Sequence, residues 1–299
     1  MTLLASPLAE RLLKAEPLAK YTAARLGGPA DWLYVARAST DELAAVVEAA
    51  WADDLPVRIL GGGANALVAD SGVRGLVVIN RVGAADFDSD QVTVTAGMSL
   101  GVLARKCQAR GLAGFEWAVS VPGTVGGAVV NNAGAHGGDM AGNVITVTLL
   151  DAEAGQQTLT ADDLAYAYRT SLLKTRVDRR FAVLSARLRL TPDDPATIQT
   201  RMDTFSARRK STQPPGASLG SIFKNPPGDY AGRLIESVGL KGCSIGGAQV
   251  STVHANFFIN TGTASAHDYH ALILHVQRTI ERTTGIWLEP EIELVGEGF

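Results

Sequence analysis

Three stretches of this 299-residue chain hold residue types that could do chemistry. The first is VRILGGGANALV, residues 57–68, a strand-like run into Gly61, Gly62 and Gly63, followed by Ala64 and Asn65. Glycines let backbone N–H groups approach a phosphate and take positive φ, although the same residues also make an ordinary tight turn. The dinucleotide fingerprint G-x-G-x-x-G, opening a helix with an acidic residue about 20 positions on, is missing from this cluster. The second stretch is SVPGTVGGAVVNNAGAHGGDM, residues 120–140. It holds Pro122, Gly123, Thr124, Gly126, Gly127 and Ala128, then Asn132, Ala133, Gly134, Ala135, His136 and Gly137. A surface so short of side chains can take a flat ring and a pyrophosphate against its backbone, while the plainer reading is a glycine-rich lid. The third is QPPGASLGSIFKNPPGDYAGRLIE, residues 213–236, which sets Ser221, Lys224 and Asn225 in a Pro/Gly-rich loop ahead of a helix.

Other matches have bland explanations. Gly216-Ala217-Ser218-Leu219-Gly220 fits G-x-S-x-G, but a nucleophile elbow joins a strand to a helix and Ser218 follows two prolines. Ser171-Leu172-Leu173-Lys174 fits S-x-x-K without the partner motifs that chemistry needs. His267 and His270 share a helix face, yet no third ligand has a matching spacing, so no metal is expected. Period-2 alternation along 287–295 sets Glu289, Glu291 and Glu293 on one strand face. Three like charges there are either solvated on an edge or held by an Arg, a cation or a proton.

The elements that must position these groups alternate between helix and strand. Ser39 and Glu42 make a capping box before a helix whose face is Leu43, Val46, Val47, Ala50 and Trp51, and Val57–Leu60 begins a strand. Short strands are expected at 75–80, 91–96, 144–151 and 181–190, and a helix at 99–110 that buries Cys107 and stops at Gly111. Residues 118–142 have neither helical nor strand periodicity. A charged helix runs to Lys210, a helix follows at 230–238, strands at 241–245 and 256–260, and a last strand at 287–295. Between the last two strands, a long helix capped by Ser265 and Asp268 buries Tyr269, Leu272, Ile273, Val276 and Ile280. The fold class is α+β, with two domains divided near residue 200.

With 46% hydrophobic and 19% charged residues, the composition is that of a globular enzyme. A formal charge of −3, without a basic stripe, argues against nucleic acid. Cys107 and Cys243 cannot build a disulfide framework. The N-terminal stretch carries prolines and charges in place of an apolar signal core, and no apolar run reaches the roughly 20 residues of a membrane span. A cytoplasmic monomer is expected.

YTAARLGGPAD, ILGGGANALV, PGTVGGAVVNNAGAHGG, YRTSLLK, GSIFKNP, GGAQVSTVHANFFIN and LEPE, collinear across nearly the whole chain, resemble the MurB reductases of peptidoglycan synthesis. The resemblance implies an FAD-binding region of the vanillyl-alcohol-oxidase (PCMH-like) type over residues 1–199, in two subdomains, and a smaller substrate-binding domain over 200–299. It implies noncovalent FAD, NADPH as reductant, and an enolpyruvyl ether of a UDP-sugar as substrate. Gly61 to Asn65, Pro122 to Ala128 and Asn132 to Gly137 match the FAD-contacting loops. Arg169 and Glu291 match the pair that polarises the enolpyruvyl group, and Ser221 matches the proton donor. Lys224, Asn225 and His254 match positions near the UDP-sugar. Thr212 stands where many relatives have Lys, which passes the phosphate contact to Lys210 or Arg209. The stretch from Arg169 to Ser221 is too short for the tyrosine-bearing loop of one subclass, which implies the subclass that lacks it.

Overall fold

The computed structural model describes Leu3 and residues 6–299; Met1, Thr2, Leu4 and Ala5, part of the N-terminal stretch expected to hold no signal, lie outside the described residues. Strands β1 (Leu13–Pro17) and β2 (Pro29–Ala36) precede α1 (Thr40–Ala52), β3 (Val57–Leu60), β4 (Ala66–Val68) and β5 (Val73–Asn80). Then come β6 (Ala85–Asp88), β7 (Gln91–Thr95), α2 (Leu100–Gln108), β8 (Leu112–Ala113), α3 (Val125–Asn131), β9 (Gly134–Ala135) and β10 (Gly138–Asp139). The middle of the chain forms β11 (Val144–Asp151), β12 (Gly155–Thr160), α4 (Leu172–Thr175), β13 (Phe181–Arg189), β14 (Thr191–Pro192) and α5 (Pro195–Thr212). The remainder is α6 (Ala231–Ser237), β15 (Ser244–Ile245), β16 (Ala248–Val250), β17 (Phe258–Asn260), α7 (Ala266–Thr284) and β18 (Glu293–Val295). The class is α+β, as expected.

Two compact units emerge: Met1–Leu13, Trp32–Gly62 and Gly75–Arg209 form one, and Lys14–Asp31, Gly63–Arg74 and Lys210–Phe299 form the other. A single cut near residue 200 would fall inside α5, and it would leave Lys14–Asp31 and Gly63–Arg74 on the other side from the C-terminal residues they group with.

In the first unit an antiparallel sheet has the order β12-β11-β13-β7-β6. Val92 and Val94 of β7, Val147 and Leu149 of β11, and Ala186 and Leu188 of β13 share a core with Leu100, Leu103, Ala104 and Cys107 of α2 and Val125, Ala128 and Val129 of α3. A second core joins Leu43, Val46, Val47 and Ala50 of α1 to Tyr34, Ala36, Leu76 and Val78. Each fully buried Val or Leu side chain there contributes about 1.5–3 kcal/mol. The Ser39 hydroxyl caps α1 by accepting from Glu42 N at 3.1 Å, but the reciprocal half of the expected capping box is absent. The Glu42 carboxylate instead accepts from Arg37 N and Ala38 N, the two residues just before the cap.

In the second unit α7 packs Tyr269, Leu272, Ile273, Val276 and Ile280 against Ala231, Leu234 and Ile235 of α6 and Ala248 and Val250 of the meander β15-β16-β17. The expected box at its start is complete: Ser265 and Asp268 exchange both bonds, and the helix ends at Gly285 with φ +73°.

Residues 118–142, which show neither helical nor strand periodicity, contain α3 and the β9–β10 hairpin, whose pairs are Gly138 with Ala135 and Asp139 with Gly134. Of the strand expected at 287–295, only Glu293–Val295 forms, paired in parallel with Ala66–Val68. Pro290 has no N–H to give a ladder, and its neighbours pair with a loop instead.

Candidate functional site

In the first unit the glycine-rich segments fold on each other at a distance only glycine permits. A Cβ on Gly61 would lie 2.1 Å from Thr124 Oγ1, and one on Gly62 would lie 3.0 Å from Gly123 Cα. The first turn of α3 is held from outside, with Val125 N donating to Met98 O at 2.9 Å and Gly126 N to Ala96 O at 2.8 Å. Gly123 and Gly137 differ from these packing glycines. Both have positive φ, +121° and +88°, and a Cβ on either would meet nothing within 4 Å. Bare backbone facing open space is what a flat cofactor with an anionic tail requires, so the cluster fits such a group.

Asn132 ends α3 in the left-handed region at φ +43°. Its buried amide donates to Ala167 O at 3.0 Å and to Asp139 Oδ2 at 3.4 Å, and accepts from Ala141 N at 3.0 Å. The side chain expected at a cofactor therefore ties the β9–β10 hairpin to the segment that carries Arg169. Arg169, itself at φ +56°, donates from Nη2 to Gly134 O at 2.7 Å. Ser171 is 1% exposed, and its hydroxyl donates to Val130 O at 2.6 Å and caps α4. That use explains away the S-x-x-K match. His136, at φ +54°, lies on Phe205 of α5 with ring centroids 4.4 Å apart and planes 3° from parallel. Burial first, then the cations of Arg208 and Arg209, lowers its pKa from 6.5, so the ring is neutral at pH 7.

The second unit gathers the other residues. Gly63, at φ +59°, is fixed by a close approach, because a Cβ there would lie 2.1 Å from Tyr21 O. Asn65 Nδ2 donates to Glu291 O at 3.2 Å, and Glu293 N donates to Asn65 O at 2.8 Å. Glu291 N donates to Ile222 O at 2.7 Å and Lys224 N to Glu289 O at 2.9 Å, while Phe223 bridges Pro290. Residues 289–291 thus run beside 222–224, and this pairing sets Glu291 next to the segment that begins with Ser221. Ser221 itself bridges Phe257 on its other side. Asn256, which sequence patterning does not single out, locks this arrangement through Phe223 N at 3.0 Å and Phe223 O at 2.8 Å. No periodicity marks such a residue; a buried amide is visible only once the fold is known.

Lys224 Nζ meets Glu289 Oε1 at 2.5 Å, so the three glutamates are not a like-charged strand face. Asn225 Oδ1 accepts from Ala231 N at 3.1 Å at the start of α6. His254 Nδ1 accepts from Asn256 N at 3.2 Å, which puts the ring proton on Nε2, and its ring covers Gly232, where a Cβ would lie 3.1 Å from Cε1. Burial lowers its pKa, outweighing a backbone hydrogen bond that raises it, with a smaller lowering from the Lys241 cation. Ala217 bridges Asn260 and the next helix begins only at Ala231, so Ser218 sits on no elbow. The His270 ring contacts Phe299 edge to face. Thr212 ends α5, where Lys210 is exposed and Arg209 half-buried. No helix among the described residues is long and apolar enough to cross a membrane.

Residues 33–160 match the profile of an FAD binding domain, and residues 211–295 that of the UDP-N-acetylenolpyruvoylglucosamine reductase C-terminal domain. UDP-N-acetylenolpyruvoylglucosamine reductase 2 of Symbiobacterium thermophilum is 44% identical, with 97% of each chain covered. The reductase of Synechococcus sp. WH7803 is 46% identical over 94% of this chain and 92% of its own. The crystal structure of the Thermus caldophilus reductase is 33% identical and covers 95% of this chain and 98% of its own, with a TM-score of 0.79.

Proposed function

The chain belongs to the UDP-N-acetylenolpyruvoylglucosamine reductase family, and from that premise we propose that it reduces UDP-N-acetylglucosamine enolpyruvate to UDP-N-acetylmuramate, for peptidoglycan precursors, with noncovalent FAD and NADPH. The observation that carries this reading is the register of 289–291 on 222–224, which sets a hydroxyl and a carboxylate, Ser221 and Glu291, on adjoining backbone. When bound, FAD supplies hydride transfer from NADPH to C3 of the enolpyruvyl group. Residues 1–199 hold the cofactor and 200–299 the substrate.

Reduction at C3 pushes charge from the enol ether toward the substrate carboxylate. The Arg169 guanidinium holds that charge with its planar fork, and Glu291 supplies a hydrogen bond to the same group. The Ser221 hydroxyl delivers a proton to C2, so one hydride and one proton complete the saturated lactyl ether. A positioned acid of this kind is typically worth about 10²–10⁴-fold in rate. Lys224, an Nζ cation held by Glu289, and His254, a neutral ring with its N–H on Nε2, orient the UDP-sugar. Asn225, whose Oδ1 accepts from Ala231 N, contacts the same sugar beside Lys224. The absence of a separate dinucleotide fingerprint favours NADPH and the sugar using one site in turn, and the enzyme works as a cytoplasmic monomer.

The test is the absorption spectrum of purified protein under anaerobic conditions. NADPH should bleach a flavin band, and the UDP-enolpyruvyl sugar should restore it. Colourless protein that binds no FAD would refute the assignment; recovery with oxygen and none with the sugar would point to an oxidase.

A further inference from the structure

Ser120 lies in the turn between the Glu116–Ala118 3-10 helix and the loop that carries Gly123. Its Oγ is buried and has no hydrogen-bond partner among the described residues. The neighbouring polar side chains do have partners: Glu116 accepts from Gly114 N at 2.6 Å and from Arg201 Nη1 at 2.8 Å, and Trp117 Nε1 donates to Asn143 Oδ1 at 3.0 Å. In the turn's backbone, Val121 N donates to Ala118 O and Gly123 O accepts from Leu100 N. Among the described residues, Ser120 Oγ is thus a buried side-chain atom of this turn left unsatisfied. Native proteins seldom keep such a group, because a buried hydroxyl without a partner shifts the folding equilibrium unfavourably by about tenfold or more. Three residues on, the backbone at Gly123 faces open space with positive φ, where bare chain is suited to a flat ligand.

Resting on the reading of this chain as an FAD enzyme, we propose that Ser120 is a cofactor-binding residue whose hydroxyl donates a hydrogen bond to an acceptor atom of bound FAD. The hydroxyl contributes nothing to the apoprotein and becomes satisfied only when the cofactor is in place. That gives the proposal opposite signs in two measurements. Ser120→Ala should raise the Kd for FAD, read by flavin fluorescence on titrating apoprotein, by about 3- to 10-fold, as expected for one hydrogen bond. The thermal midpoint of the Ser120→Ala apoprotein should equal or exceed that of the wild type, since an unsatisfied hydroxyl has been removed. Ser120→Gly should raise Kd in the same way, which excludes crowding by the alanine methyl as the cause. An unchanged Kd in both variants overturns the proposal, and so does an apoprotein midpoint that falls, which would give the hydroxyl a structural partner. Wild-type protein that takes up no FAD refutes the enzyme reading itself, a result separate from unchanged Kd values in the variants.

Discussion

Asn256 and Phe223 exchange two hydrogen bonds, the Asn256 amide donating to Phe223 O at 2.8 Å and accepting from Phe223 N at 3.0 Å. Asn256 is 3% exposed and Phe223 1%, so neither bond has water as a substitute. Asn256→Ala would leave both backbone groups of Phe223 unsatisfied, and should cost about 2–4 kcal/mol in urea unfolding. Because the clamp also fixes the segment that begins at Ser221, kcat should fall more than the change in KM accounts for. Full stability in the variant would show that the clamp is dispensable.

Ser221→Ala should separate the half-reactions. Bleaching of the flavin by NADPH should proceed at the wild-type rate, while reoxidation by the enolpyruvyl sugar slows by about 10² or more. Equal slowing of both steps in stopped-flow absorbance would remove Ser221 from the proton-donor role.

His136 gives a pH dependence with a defined sign. Burial and the neighbouring Arg208 and Arg209 lower its folded-state pKa below the ordinary 6.5. In acid the unfolded chain therefore binds a proton before the folded one does, and stability falls as pH drops through 6.5 toward the folded value. Above that range the group has no effect. His136→Gln cannot titrate, so the loss of thermal stability between pH 7 and pH 5 should be smaller than in the wild type. Identical pH profiles would show that the stacked ring titrates normally. His254 and His270 are lowered in the same direction, mainly by burial, and account for part of the remaining slope.

The two thiols should react at different rates. Cys107 is 1% exposed, and burial pushes its pKa up to about 12, whereas Cys243 is half-buried. A thiolate-selective aromatic disulfide should label one cysteine in the native protein and two in guanidinium. Two fast labels without denaturant would contradict the packing of α2.

The elements legible in the sequence are those whose determinants are local. The cap and apolar face of α7 lie in one run of residues, and so do the buried face of α1 and the Gly111 stop after α2. Helix α3 was hidden because VGGAVVN has no apolar period, and its first turn is fixed by the carbonyls of Met98 and Ala96. Strands of three residues, such as β16, are too short to show alternation. In the site, residue types and order were readable through the family motifs, while spatial roles were not. Asn132 and Asn225, expected at ligands, also bond the protein's own backbone, which no motif announces. The glutamate face at 287–295 was a product of assuming a strand through Pro290.

The pairing of Glu293–Val295 with Ala66–Val68 also bears on how the polypeptide matures during synthesis. Leu67, fully buried, belongs to the same core as α6 and α7, together with Ala24 and Leu26. The early segments that supply these side chains leave the ribosome long before their partners exist, and wait for almost the whole chain before they can be covered. Contacts of such sequence separation fold slowly and expose apolar surface in the interval. A fragment starting at residue 200 would lack the strand that β18 pairs with and the side chains that fill its centre, so the C-terminal portion cannot be transplanted as a self-sufficient module.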